Sequence, residues 1–285
     1  MSSMSAVVVG GGTMGAGIAQ SLLGALTRGR VSLVERDASS LRAALDRVAR
    51  GLERQHRHAE DPPAAVAQSL ERLHGHVAIT GDITPDLVIE AVPEELRMKV
   101  GVLIEAAAAW PHALLATNTS SLSVTELGQS VGAPRFIGLH FFNPVPRSKL
   151  VEIVLPDGCS EEIVGAARSW VSLLGKESIE VHDAPGFATS RLGVAIALEA
   201  IRMVQDGVAS PSDIDRGMVL GYQFPVGPLE LTDRIGLDVR LAIAEHLAET
   251  LGERFTPPEL LRSKVAAGEL GQKSGRGFYD WSDRL

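Results

Sequence analysis

The chain has 285 residues, enough for one large or two ordinary domains, and 45% apolar content with a mean hydropathy of +0.12 indicates a well-filled core. A net charge of −8, from 27 basic and 35 acidic residues, argues against general binding of nucleic acid or membrane surfaces. Cys159 is the only cysteine, the first strand starts too early to leave room for a signal peptide, and no apolar run approaches a membrane span, so a soluble protein of the reducing cytoplasm is expected.

The first element organises the rest. Residues 7–9 are three valines, which suit a strand buried on both faces of a parallel sheet. Gly10, Gly12 and Gly15 follow in the spacing G-x-G-x-x-G, and a helix pattern continues through Ile18, Leu22 and Leu23. The first glycine permits a tight turn, the second lets a pyrophosphate approach the backbone, and the third lets helix and strand pack closely. The anion would sit at the helix N-terminus, where N–H groups and the helix dipole favour negative charge. Residues 31–34 read as the second strand, ending at Glu35, where a carboxylate accepts bonds from the adenosine ribose hydroxyls. Glu35 would repel a 2′-phosphate, which favours NAD over NADP, and Arg36 beside it offsets that preference slightly.

Residues 38–58 read as a helix with an apolar stripe of Leu41, Leu45, Val48 and Leu52. Its other face carries Arg42, Arg47, Arg50, Arg54 and Arg57, with His56 and His58 near the end. Such a run is either a solvated face or a phosphate-binding surface beside a nucleotide fold. Asp61-Pro62-Pro63 breaks it, and residues 64–73 complete a helical hairpin inserted between strands. Strands are expected at residues 77–80 and 87–92, a helix at 96–109 and a strand at 114–116 that runs into the polar turn 117–121. Two further strands fall at 136–142 and 150–155, and Ser160 caps a helix ending at Gly175. From residue 184 the alternation of strand and helix stops. Residues 192–204 are apolar nearly all round and read as a central, buried helix, followed by helices starting at Pro211, Leu237 and Pro257-Pro258. The fold expected is α/β, a Rossmann-type, doubly wound and mostly parallel sheet over residues 1–184, followed by an all-α domain over residues 185–285.

His140 falls on one expected strand and Glu152 on the next. A histidine paired with a carboxylate makes a general base with a fixed tautomer, able to take a hydroxyl proton while a hydride leaves the same carbon. The Asn143-Pro-Val-Pro turn beside it has the rigidity on which sites are built.

Five blocks carry a family resemblance: G-G-G-T-M-G-A-G-I at residues 10–18, N-T-S-S-L at 118–122, G-L-H-F-F-N-P-V-P at 138–146 with L-V-E-I at 150–153, P-G-F at 185–187, and L-G-Q-K-S-G-R-G-F-Y at 270–279. Together they resemble the short-chain L-3-hydroxyacyl-CoA dehydrogenases, including the bacterial 3-hydroxybutyryl-CoA enzymes. The resemblance implies NAD-dependent oxidation of (3S)-3-hydroxyacyl-CoA to 3-oxoacyl-CoA, and a homodimer formed through the helical domain. It makes His140 the base, Glu152 its partner and Ser120 the hydroxyl that meets the substrate oxygen. It assigns NAD contacts to the glycine-rich turn (Gly10, Gly11, Gly12, Thr13, Met14, Gly15) and to Glu35, Arg36, Glu94, Lys99, Ser120, Asn143 and Lys273. The family's basic hairpin binds the CoA phosphates, which points to Arg50, Arg54, Arg57 and His58. Gly51 and His58 stand where the family usually has serine and lysine. Ser190 stands where the pattern P-G-F-x-x-N-R has the asparagine that steadies the reacting carbonyl. A dehydrogenase of a free hydroxy acid, like L-gulonate 3-dehydrogenase, is the alternative in the same class, and an NAD-binding protein with weakened catalysis the alternative outside it.

Overall fold

The computed structural model describes residues 4–282. The chain divides after Ala184 into two compact units. The first is an eight-stranded sheet with helices on its faces. In chain order its elements are β1 (Ser5–Val9), α1 (Thr13–Ala25), β2 (Arg30–Val34), α2 (Ala38–His56), α3 (Pro62–Leu70), β3 (Leu73–His76), β4 (Leu87–Glu90), α4 (Leu96–Ala109), β5 (Leu114–Thr117), α5 (Val124–Val131), β6 (Phe136–Phe141), β7 (Leu150–Leu155), α6 (Glu161–Leu173) and β8 (Glu177–His182). The strand order is β3-β2-β1-β4-β5-β6-β7-β8. Every neighbouring pair is parallel except β6 and β7.

The order reverses beside β1, which pairs with β2 on one side and β4 on the other. Residues 6–9 are buried, as a strand covered on both faces must be, and this explains their unbroken apolar run. At the carboxyl ends of these strands the backbone continues the ladder: Gly10 N–H donates to Val34 O at 2.9 Å, Ala91 N–H to Val9 O at 2.8 Å and Asn118 N–H to Glu90 O at 2.9 Å. The glycine turn, Glu35, the segment after β4 and the polar turn after β5 therefore leave the sheet along one edge, at its topological switch point.

Three details of this unit depart from the sequence expectation. The third strand lies at Leu73–His76, not at 77–80, because the chain continues parallel to β2 directly after α3. Its L-H-G-H pattern is that of a half-buried edge strand, while Val77 is exposed. Helix α5, capped by Ser123 Oγ accepting from Glu126 N–H, follows the polar turn where no element was expected. Strand β8 adds a second outer edge parallel to β7, built from Glu-Ser-Ile-Glu-Val-His, which looks polar because an edge strand shows much of itself to solvent.

The second unit is helical: α7 (Thr189–Gln205), α8 (Pro211–Tyr222), α9 (Pro228–Ile235), α10 (Leu237–Leu251) and α11 (Glu259–Ala266). Helix α9, started by Pro228, is also additional to the expectation. Its core includes Val194, Leu198, Ile201, Leu229, Leu237, Ala244, Leu247 and Leu261. Helix α7 is not buried all round as its composition suggests: Val194, Ala197, Leu198 and Ile201 face the core, whereas Leu192 is 64% exposed and Ile196 is also exposed. The glycine-rich C-terminal block wraps Asp233, whose carboxylate accepts from Phe278 N–H (2.9 Å), Tyr279 N–H (2.9 Å) and Trp281 Nε1–H (2.8 Å). Gly271, at φ +90°, passes so close that a Cβ would lie 2.2 Å from Asp233 O. Among the described residues no helix is long and apolar enough to cross a membrane.

Candidate active site

The turn after β1 is shaped for close approach. Gly10 has φ +96°, and a Cβ on it would lie 2.8 Å from the Ala91–Val92 backbone; on Gly15 it would lie 1.8 Å from Gly10 O. Gly12 differs, since a Cβ there would meet nothing within 4 Å, and as N-cap of α1 it offers no capping side chain. The N–H groups of the first helical turn, beginning at Thr13 and Met14, are thus left for a ligand, which is how a pyrophosphate is cradled. Thr13 is exposed beside this opening, while Met14 packs partly against the sheet core. Gly11 N–H donates to Glu35 Oε1 at 2.7 Å and Arg36 N–H to Glu35 Oε2 at 3.2 Å, so Glu35 also braces the turn. The Arg36 side chain is exposed beside Asp37. These residues fit a dinucleotide.

Beyond β4, Lys99 is buried with its Nζ 2.9 Å from Glu90 Oε1, 3.2 Å from Glu94 Oε2 and 3.2 Å from Val92 O. Glu90 Oε2 accepts from Thr117 Oγ1 at 2.6 Å. An ammonium enclosed by three oxygens is occupied, so the structure does not support the direct cofactor contact expected of Lys99. It holds Glu94 instead. Glu94 Oε1 gathers the turn after β5: it accepts from Thr119 Oγ1 (2.6 Å), Ser120 N–H (2.9 Å), Ser121 N–H (3.0 Å) and Ser121 Oγ (2.9 Å), with Ser120 Oγ at 3.3 Å. Burial raises the Glu94 pKa, but Lys99 and these donors outweigh it and hold the carboxyl down at about 2. Asn118 Oδ1 accepts from Phe141 N–H at 2.9 Å and ties the same turn to β6.

His140 and Glu152 are register partners in the antiparallel pair β6–β7, so their side chains emerge on one face of the sheet. His140 Nδ1 lies 2.6 Å from Glu152 Oε2; Glu152 is fully buried and His140 nearly so. A carboxylate at Nδ1 selects the tautomer protonated there and makes Nε2 the basic nitrogen. Asn143 follows β6, and Lys176 Nζ, bonded to Val145 O at 2.6 Å and also to Ser148 O, fixes the turn that carries it.

A cleft of about 500 Å³ opens between α1, α2 and this turn, lined among others by Thr13, Arg47, Arg50, Arg54, Asn143 and Arg147. Arg50 and Arg54 thus line this cleft. Arg57 and His58 do not line the cleft; Arg57 Nε donates to His58 Nε2 at 2.9 Å at the end of the hairpin's first helix. Arg147 is a cleft arginine the sequence reading missed, and its place directly after the Pro-Val-Pro turn is the only signal for it. Gly51 lines the cleft too, where a Cβ would come within 2.2 Å of Gln20 Oε1, so Gln20 fills the space that serine would need.

In the second unit, Ser190 is half-buried in the first turn of α7, and Lys273 Nζ lies 2.6 Å from Asp238 Oδ2. Arg240 on α10 is 5% exposed and its Nε has no hydrogen-bond partner among the described residues. Its signal in the sequence was a basic residue on an otherwise apolar helical stripe.

Residues 5–184 match the NAD-binding domain of 3-hydroxyacyl-CoA dehydrogenase and residues 186–281 its C-terminal domain. A probable 3-hydroxybutyryl-CoA dehydrogenase of Bacillus subtilis is 39% identical over 98% of this chain and 97% of its own length. The 3-hydroxyadipyl-CoA dehydrogenase of Escherichia coli is 37% identical over 96% of this chain and 58% of its own length. The crystal structure of an (S)-3-hydroxybutyryl-CoA dehydrogenase from Ralstonia eutropha superposes with a TM-score of 0.90 at 38% identity, covering 98% of this chain and 99% of that one. A dinucleotide cradle at the switch point, two matching domain models and whole-length relatives agree: the chain belongs to the 3-hydroxyacyl-CoA dehydrogenase family of NAD-dependent oxidoreductases.

Proposed function

We propose that this enzyme oxidises (3S)-3-hydroxyacyl-CoA to 3-oxoacyl-CoA with His140 as general base. The observation that carries the reading is the 2.6 Å bond between His140 Nδ1 and Glu152 Oε2, which orients the ring and stabilises it once protonated. His140 Nε2 takes the proton of the substrate 3-hydroxyl, and Ser120 Oγ holds the same oxygen. NAD, when bound, accepts the hydride from C3. The turn at residues 10–15, Glu35, Arg36, Glu94 and Asn143 hold the dinucleotide, with Lys99 acting through Glu94.

Arg50, Arg54 and Arg147 form the phosphate-binding side of the cleft, a cluster that a free hydroxy acid does not need. The chain works as a cytoplasmic homodimer through its helical unit, a reading supported by the exposure there of Leu192, Val208, Leu220 and Tyr222. The names of the relatives span butyryl and adipyl thioesters. Supplying NADH with acetoacetyl-CoA or with acetoacetate tests the reading: consumption with the thioester alone is expected, and equal rates with the free acid would overturn it.

A further inference from the structure

Helix α2 packs against the glycine turn so closely that a Cβ on Gly11 would lie 2.3 Å from Ala44 Cβ. Arg47 follows Ala44 by about one helical turn and shares that face. Its Nη1–H donates to Gly11 O at 3.3 Å, in the turn shaped for a dinucleotide. Arg47 also lines the cleft together with Arg50 and Arg54, which continue the same row along α2. Another wall of the cleft is α1, from Thr13 at its N-terminus through Ala16, Gly17 and Gln20. The cradle for the dinucleotide and the basic cleft therefore adjoin within the first unit, and Arg47 is the cation at their junction. A guanidinium carries five N–H donors. The Gly11 carbonyl takes one of them, and the exposed Arg47 enters no ion pair among the described residues.

We propose that Arg47 binds both substrates, the dinucleotide at the glycine turn and the thioester's phosphates in the cleft, and thereby makes their binding cooperative. The inference rests on the placement of the CoA phosphates in this cleft. The planar fork offers donors along more than one edge, so a single guanidinium can serve two phosphoryl groups. An arginine free in solvent loses rotamer freedom when an anion fixes it. The first ligand to bind orders Arg47 beside Gly11, and the second finds it already held, so each ligand favours the other. Repulsion between the two anions opposes this effect but does not depend on Arg47. Linkage requires that CoA tighten NADH by the same factor as NADH tightens CoA. Among the described residues, Arg50 and Arg54 make no bond to the glycine turn, so they act on CoA alone.

The test titrates NADH by fluorescence without CoA and with saturating free CoA, which carries no acyl group to be reduced. The ratio of the two dissociation constants is the coupling factor. It is expected to be about 5- to 10-fold larger in the wild type than in Arg47→Met. Arg47→Met should also weaken NADH alone and CoA alone, whereas Arg50→Met should weaken only CoA and keep the wild-type factor. Calorimetric titration of CoA with and without NADH measures the same factor independently. Equal coupling factors in wild type and Arg47→Met overturn the proposal. It is also overturned if Arg47→Met weakens NADH and leaves CoA binding unchanged, which would make Arg47 a brace of the glycine turn only. Failure of CoA to bind the wild type overturns the CoA reading on which the proposal rests.

Discussion

His140 on β6 and Glu152 on β7 are paired across an antiparallel ladder, and their side chains meet at 2.6 Å. Because register fixes which face each side chain takes, the one antiparallel pair in an otherwise parallel sheet is what brings the two together. Glu152→Gln keeps the volume but removes the charge and can present the wrong hydrogen-bond sense to Nδ1. We expect kcat to fall on the order of 10²-fold or more, with KM for NADH little changed. Steady-state kinetics with acetoacetyl-CoA check this.

Glu94 links the buried Lys99 to the turn carrying Ser120, and its carboxyl titrates at about 2 instead of 4.5. A carboxyl whose folded pKa is depressed contributes stability that is fully present above its unfolded value and lost as pH falls through the folded one. The difference in Tm between wild type and Glu94→Gln should therefore be constant above about pH 5 and shrink between about pH 4.5 and 2. Thermal melts over that range measure it. At neutral pH the variant should also lose kcat, since a neutral amide oxygen holds the Ser120 turn more weakly than the carboxylate and loses the ion pair with Lys99.

The cleft separates the basic residues of the hairpin into two groups. Arg50→Glu and Arg54→Glu, which face it, should each raise KM for acyl-CoA by about 10-fold or more while KM for NADH stays near wild type. Arg57→Glu, off the cleft and bonded to His58, should have a much smaller effect. Equal effects from all three would mean that a diffuse basic field attracts the substrate, without specific contacts.

Leu192, Val208, Leu220 and Tyr222 are exposed on the helical unit, apolar surface that a contact with a second copy would cover. Sedimentation equilibrium at micromolar concentration should give twice the 30.2 kDa chain mass. A single species of chain mass would contradict the dimer.

How much of this was legible in the sequence depends on what each residue does. The central strands, the glycine turn, and the pair of His140 and Glu152 were readable because apolar runs, glycine spacing and strand polarity follow directly from burial on both faces. Edge strands β3 and β8 were displaced or missed because half their surface is solvated and their patterns resemble loops. Helix α5 was hidden by the polar turn before it, and α9 is short enough that Pro228 was its only marker. Lys99 was legible only as a cofactor contact implied by the resemblance; the fold shows three oxygens closed around it. Arg240 was passed over because one basic residue on a helix is ordinarily solvated, and its burial comes from α7 packing against α10.

Proton removal by His140 is the central step of the proposed reaction. His140→Gln is expected to lower kcat for acetoacetyl-CoA reduction by about 10²–10⁴-fold while NADH binding, followed by its fluorescence, stays within about twofold of wild type. Undiminished turnover in His140→Gln would contradict the account.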